Sequence, residues 1–416
     1  MGNKVNRANT YLSTILLCLI VIGYPLVTTI FLSNGSEHDV TVSRLVTVPY
    51  RAFVLGLSLT LIAMNWKRRI RLNLPLKLYF LFWFFLSIRI VYDLLIRTDI
   101  IIDPSVIQNQ FLYSYLVCLL PAIAIFRGGK AIDYDLALKL IIGGMFLMIP
   151  FLAINSPDLF STVNAERAWG NIALNPISLG VTGVAMAVLG LFVMARTGWG
   201  WRRWLGLVLM VAGVFIILRS GSRGPLVAFV ASILFYVIAR LDNPIWGVLM
   251  SIAMLVSVLM SDYIFELIGR ISPVMASRMT LSGNVSQFEE FTNSRSALFS
   301  QAINRFVNHP LIGDTYALVS PDGSIIYSHN MVLDAFMALG LFGGCLFVII
   351  LLFAIRNAFL LIRYQHRFWW IGLLCICYLV KHLFSGCFYQ ADVFNALLII
   401  MLNFRLFAND KTPVDL

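Results

Sequence analysis

Twelve stretches of 15 to 25 residues, nearly all apolar and almost free of charge, recur along the chain. An α-helix needs about 20 apolar residues to cross a hydrocarbon core about 30 Å thick, and inside lipid it must satisfy its own backbone hydrogen bonds. The runs lie near 11–32, 46–64, 78–96, 108–126, 137–154, 173–195, 204–218, 225–240, 245–261, 331–355, 369–385 and 392–407. The chain is therefore expected to be an all-α polytopic membrane protein of about twelve transmembrane helices. Composition agrees: only 12% of residues are charged, against roughly 25% in soluble domains. No small-residue cleavage site follows the first run, so it is read as a retained helix.

Lys and Arg in short loops set the orientation. With the N-terminus in the cytoplasm, 19 of the 31 cations fall on inner loops, including Lys67, Arg68, Arg127, Lys130, Arg202, Arg203, Arg363 and Arg367. The C-terminus is then also inside. One long polar segment, 262–330, falls outside, between transmembrane helices one to nine (1–261) and helices ten to twelve with a short tail (331–416). The net charge of +11 is scattered between apolar segments, which fits membrane topology and gives no basic face for nucleic acid. The six cysteines sit in or beside apolar runs without metal-ligand spacing and read as small buried hydrophobes.

The other twelve cations stand at the outer side, several at the ends of apolar runs, where a charge costs a few kcal/mol unless it snorkels or meets an anion. Arg51, Arg89 and Lys381 are read as outer substrate-binding cations. For Arg89, Asp93 one turn on offers a structural partner instead. In LRSGSRGPL, 218–226, Gly221, Gly224 and Pro225 argue against a continuous helix through Arg219 and Arg223. A turn followed by a helix start is expected, with Ser222 as cap and Pro225 in the first turn. Such a start offers free N–H groups to a phosphate, and arginine adds bidentate recognition. The plain alternative is a tight outer turn with one snorkelling arginine.

Within the outer segment, NSRSALFSQAINRFVNHPLIGD (293–314) predicts an amphipathic helix capped by Asn293 or Ser294. Leu298, Phe299, Ala302, Ile303 and Phe306 would form its apolar stripe. Arg295 then falls in the first turn, an unfavourable place for a cation unless an anion is near. His329, next to Asn330, precedes the tenth span at the outer interface, where a neutral imidazole can take a proton near pH 7. It is either a base beside an anion site or a helix-start residue satisfied by its surroundings. His382, after Lys381, is a second candidate.

The SRGPL turn at 222–226, RSALFSQAINRFVNHPLIG at 295–313 and SHNMVLDAFMALGLFG at 328–343 occur in an order and spacing that resemble the O-antigen ligase and polymerase superfamily. The resemblance spans about 120 residues. It implies a GT-C-like glycosyltransferase architecture with one large periplasmic loop, in the bacterial inner membrane, with the active site facing the periplasm. It implies transfer of polysaccharide from undecaprenyl diphosphate to a lipid A-core sugar, metal-independent and without a cofactor. By position it assigns catalytic roles to Arg223, Arg295 and His329, the arginines on the diphosphate and His329 at the acceptor hydroxyl; Arg219, from the reading of the turn, and Asn330, beside His329, are read as substrate-binding residues. The chain departs from the pattern at Asp314, where relatives often have glycine, and at Pro225. Glu289 and Glu290 are adjacent and diverge on a helix, so they make no paired-carboxylate metal site. A polymerase or protein O-oligosaccharyltransferase would carry similar motifs, although the short tail after 407 leans against the latter. An anion transporter is the reading from another class, against which stands the lack of an internal repeat.

Overall fold

The computed structural model describes residues 2–32, 40–68, 72–96, 112–156, 159–160, 168–196, 200–241, 285–319 and 325–403. Nine helices among them are long and apolar enough to cross a membrane. They are α1 (Arg7–Phe31), α2 (Val42–Met64), α3 (Leu74–Asp93), α4 (Leu112–Ala131), α5 (Tyr134–Asn155), α6 (Pro176–Arg196), α7 (Trp201–Arg219), α8 (Arg223–Arg240) and α10 (Met331–Arg363). Helix α9 (Val285–Asn308) precedes a two-stranded antiparallel ladder, β1 (Leu318–Val319) with β2 (Ile325–Ile326). Two shorter apolar helices close the bundle, α11 (Trp369–Phe384) and α12 (Asp392–Leu402). Eleven of the expected spans thus coincide with helices, although α10 runs eight residues beyond the expected end at 355. The twelfth, 245–261, lies outside the described residues.

Basic side chains tie one end together. Arg127 donates to the Arg68 carbonyl at 3.2 Å, Arg196 to the Arg367 carbonyl at 2.9 Å, and Arg363 to the Leu241 carbonyl. This cation-rich end is the one the charge pattern places in the cytoplasm. Because Arg363 closes α10 and Leu241 follows α8, those two helices run parallel, with both N-termini at the opposite end.

Close helix approach depends on glycine. Gly183 and Gly190 of α6 face Gly213 and Gly206 of α7, and a Cβ on Gly190 would stand 2.6 Å from the Gly206 carbonyl oxygen. Small residues at this spacing let van der Waals packing hold the pair where lipid supplies no hydrophobic drive. Helix α12 is buried on every side from Phe394 to Leu402 and forms the centre of the bundle. Its one buried amide, Asn395, accepts from the Tyr79 hydroxyl at 2.9 Å and donates to the Phe388 carbonyl at 3.0 Å.

Helix α10 has 33 residues, about 50 Å of helix at 1.5 Å per residue and more than a bilayer core requires. It breaks at Gly340, whose φ of 64° is left-handed. The break is filled by the turn after α9. The Leu341 N–H, which in an unbroken helix would bond the Met337 carbonyl, donates to Pro310 at 2.6 Å. Met337 accepts from Asp314 at 2.9 Å. Gly313, at φ 75°, lies against the Ala338 and Leu339 backbone, while Gly340 lies against Leu311 and Ile312, so neither site has room for a Cβ.

Two expectations for the outer segment are corrected. Helix α9 begins at Val285, so neither Asn293 nor Ser294 caps it and Arg295 lies well inside it. No glycine or proline interrupts 285–308, so a serviceable cap sequence is overrun. The apolar stripe is also narrower than expected: Ala302 is buried with Leu318 and Met337, flanked by Leu298, Ile326 and Leu333, whereas Ile303 is exposed.

Candidate functional site

Helix α7 ends at Arg219, and Ser220 and Gly221 (φ 59°) turn the chain into α8, which starts at Arg223. Ser222 occupies the N-cap with extended dihedrals, but its hydroxyl points to the Ser220 carbonyl at 3.4 Å and does not cap. The first N–H groups of α8 are therefore left uncapped by that side chain. Pro225 packs on Gly180 of α6, and Gly224 faces Phe384 at the end of α11. Arg223 is half-buried at this helix start. Arg219, expected as a substrate ligand, is buried and donates from Nε to the Leu159 carbonyl at 2.7 Å. That bond ties the loop before α6 to the end of α7.

His329 stands one residue before the N-cap of α10. The Asn330 side chain is that cap, accepting from the Val332 and Leu333 N–H groups at 3.0 and 3.1 Å. The Ser328 N–H donates to buried Asp334 at 3.0 Å, and the Ser328 hydroxyl donates to the Asn330 carbonyl at 3.1 Å. These bonds bracket His329 and hold it at φ 63°, with its ring edge-on to Tyr327 at 4.7 Å. A non-glycine residue kept in the left-handed region is strained, and such strain concentrates at functional sites.

Asp334 also faces the loop between α11 and α12. Burial first, then the Asp334 charge, pushes the Cys387 thiol above its ordinary range. Tyr389 from the same loop lies edge-on to Tyr316, with ring centroids 5.4 Å apart.

A cavity of about 440 Å³ opens at the same end, lined by Tyr24, Tyr50, Arg51, Tyr113, Gln390 and Asp392 among others. The Arg51 guanidinium stands over the Tyr113 ring at 4.8 Å and the Tyr24 ring at 5.5 Å. Two walls are π-helical: Leu19–Gly23 in α1 and Leu112–Leu119 in α4. The loosened first stretch hands its Leu19 carbonyl to the Tyr50 hydroxyl at 2.7 Å. Single-turn π insertions are frequent at functional sites. A smaller space of about 150 Å³ shares Tyr24, Ser178, Gln390 and Asp392 and adds Lys381 and His382. Lys381 Nζ lies 3.4 Å from His382 Nε2. Both spaces border the start of α6 through Ser178, and the smaller one also borders the end of α11; these are the elements on which the Ser220–Pro225 turn packs.

Arg51 and Lys381 thus line neighbouring spaces. Arg89 is committed elsewhere: it donates to the carbonyls of Ala338 (2.9 Å), Asp314 (2.9 Å), Ile312 (2.9 Å) and Gly313 (3.1 Å), with Asp93 at 3.5 Å. Its Asp93 partner had been anticipated, while the four carbonyls had not. Arg295 lies on α9 with its side chain outside the described residues. Sequence reasoning passed over Asp392, Asp334 and the three cavity tyrosines. Tyr24, Tyr50 and Tyr113, hydroxyl-bearing aromatics toward the outer ends of α1, α2 and α4, were the unused signal for the cavity. Among the described residues no group of three or more His, Cys, Asp or Glu is arranged to hold a metal ion.

Residues 207–348 match the family model described as O-Antigen ligase, a stretch that holds the end of α7, all of α8 and α9, the His329 turn and the break in α10. Neither the curated proteins nor the solved structures yield a match. The matched third of the chain carries all three sequence motifs, and over that region this multi-pass membrane protein is similar to the O-antigen ligase family.

Proposed function

We propose that the protein is an O-antigen ligase. In this reading it transfers polysaccharide from undecaprenyl diphosphate to a lipid A-core sugar at the periplasmic face of the bacterial inner membrane. The observation that carries the proposal is the His329 turn: inside the family-matched region, four hydrogen bonds around it hold His329 in a strained backbone conformation at a helix start. Parallel α8 and α10 present their N-termini at the same end, and Arg223 stands on the first of them. Positive helix ends and a guanidinium suit a leaving diphosphate, whose developing charge is the largest item to stabilise. Arg295 is assigned to the same anion by motif.

The reaction is a single displacement. The acceptor hydroxyl oxygen bonds the anomeric carbon, the bond to the diphosphate oxygen breaks, and His329 takes the hydroxyl proton. Configuration inverts, and general-base help of this kind is worth roughly 10² to 10⁴-fold. The arrangement fits a GT-C-like enzyme in which the cavity beside the Ser220–Pro225 turn receives one of the two glycans.

The test is the lipopolysaccharide banding pattern of a host deleted for this gene, complemented at matched expression with wild type, Arg223→Ala or His329→Ala. Bare core with polymer stranded on the lipid carrier in the deletion and both variants supports the ligase. Core capped by a single repeat assigns a polymerase, and an unchanged ladder removes glycan transfer from consideration.

A further inference from the structure

The turn between α9 and β1 exposes two large apolar side chains, Leu311 at 73% and Ile312 at 74%. A tip of this kind on an aqueous loop is costly, and its position in the bundle gives a reason for it. The turn fills the break at Gly340, and Arg89 of α3 holds its carbonyls. At 1.5 Å per residue, Arg89 stands about 18 Å along α3 from Lys77 at the cation-rich end, and Gly340 about 34 Å along α10 from Arg363. Against a hydrocarbon core about 30 Å thick, these two distances bracket the acyl region of the outer leaflet.

Much of the turn's backbone meets the condition that this depth imposes. Non-helical backbone at membrane depth is tolerated only where protein satisfies its polar groups. Arg89 takes the Ile312, Gly313 and Asp314 carbonyls, the Gly313 N–H bonds the His309 carbonyl at 3.0 Å, and the Asp314 N–H bonds Met337 at 2.9 Å. Polar groups therefore face protein while the two apolar side chains face away. Their surface continues onto Leu341 (52% exposed) and Phe342 (59%), which sit on the span directly beyond the break.

We infer that Leu311 and Ile312 form a re-entrant foot inserted in the acyl region of the outer leaflet, anchoring the end of α9 at the membrane surface. The partner is bilayer hydrocarbon. The tip is continuous with the outward face of a transmembrane helix, and carbonyls at Pro310, Ile312, Gly313 and Asp314 taken up by protein donors are what lipid demands and a protein partner does not. The inference rests on α3, α9 and α10 packing alone, so it stands or falls apart from the ligase reading.

Spin labelling tests it in proteoliposomes. Ile312→Cys is labelled in a Cys345→Ala background, since Cys345 is exposed and the other five thiols are buried. Collision with oxygen is compared with collision with a water-soluble nickel chelate. Leu352→Cys, exposed on α10, is the lipid reference, and Lys67→Cys, exposed at the cation-rich end, is the aqueous one. The expected oxygen-to-nickel ratio at position 312 matches that at 352. A ratio matching position 67 overturns the inference. Low collision with both reagents overturns it too, because it means that another protein surface covers the tip. His329→Ala in the same background leaves the ratio unchanged whatever it does to transfer.

Discussion

The guanidinium of Arg89 on α3 donates from Nε to the Ala338 carbonyl of α10 at 2.9 Å. In an unbroken helix that carbonyl would accept from Phe342; the Gly340 break frees it and Arg89 takes it. The same side chain holds three carbonyls of the inserted turn. One arginine thus completes the backbone bonding of two interrupted segments.

Arg89→Ala leaves those carbonyls without donors at a depth where water does not replace them. The expected loss is about 3 to 5 kcal/mol, read as a large drop in the unfolding temperature of the detergent-purified protein. Arg89→Lys recovers little, since an ammonium lacks the planar fork that reaches four acceptors. A variant that melts like wild type would show that the turn is held by other means.

Gly340→Ala and Gly313→Ala are each expected to destabilise beyond the usual 1 to 2 kcal/mol of a left-handed alanine, because each Cβ meets backbone of the other segment. Trypsin susceptibility of the outer segment in membranes reads this out. Gly224→Ala, whose nearest neighbour is 4.0 Å away, serves as the tolerated control.

The spans were legible in the sequence because the bilayer imposes length and polarity on each one separately. Eleven helices fall on expected runs for that reason. The partners of the charges were not legible. Arg89 reaches carbonyls more than 220 positions away, and no local pattern announces that a backbone break will be found there. Gly340 lies in an apolar string that reads as continuous helix, and only the inserted turn makes its left-handed dihedral necessary. For the site, the His329–Asn330 pair was visible as a motif. Asn330 proves to be the cap of α10, a role available to any asparagine before an apolar run, while Asp334 supports the turn from inside the span.

His329→Gly separates the backbone role of this residue from its ring. Glycine accepts φ 63° without strain, so the variant is expected to be as stable as wild type or more stable by up to about 1 kcal/mol. Transfer should fall as far as in His329→Ala. Added imidazole restores part of it if the ring takes a proton, and full activity of the unsupplemented glycine variant would remove the ring from the reaction.

Arg51 and Asp392 pose the last case, because Asp392 is shared by two neighbouring spaces, the larger lined by Arg51 and the smaller by Lys381. A site for a diphosphate alone gains nothing from Asp392, whose charge opposes the ligand; a sugar is recognised by a carboxylate, amides and aromatic faces together. Arg51→Ala gives up two cation–π contacts worth about 0.5 to 1 kcal/mol each, a modest stability change, and is expected to lower transfer by 10-fold or more if the cavity holds substrate. Asp392→Asn decides between the ligands. A sugar site loses activity with the carboxylate, whereas a diphosphate site gains affinity when the negative charge is removed. Initial transfer rates against donor and acceptor concentration, measured in proteoliposomes, show which substrate's KM moves.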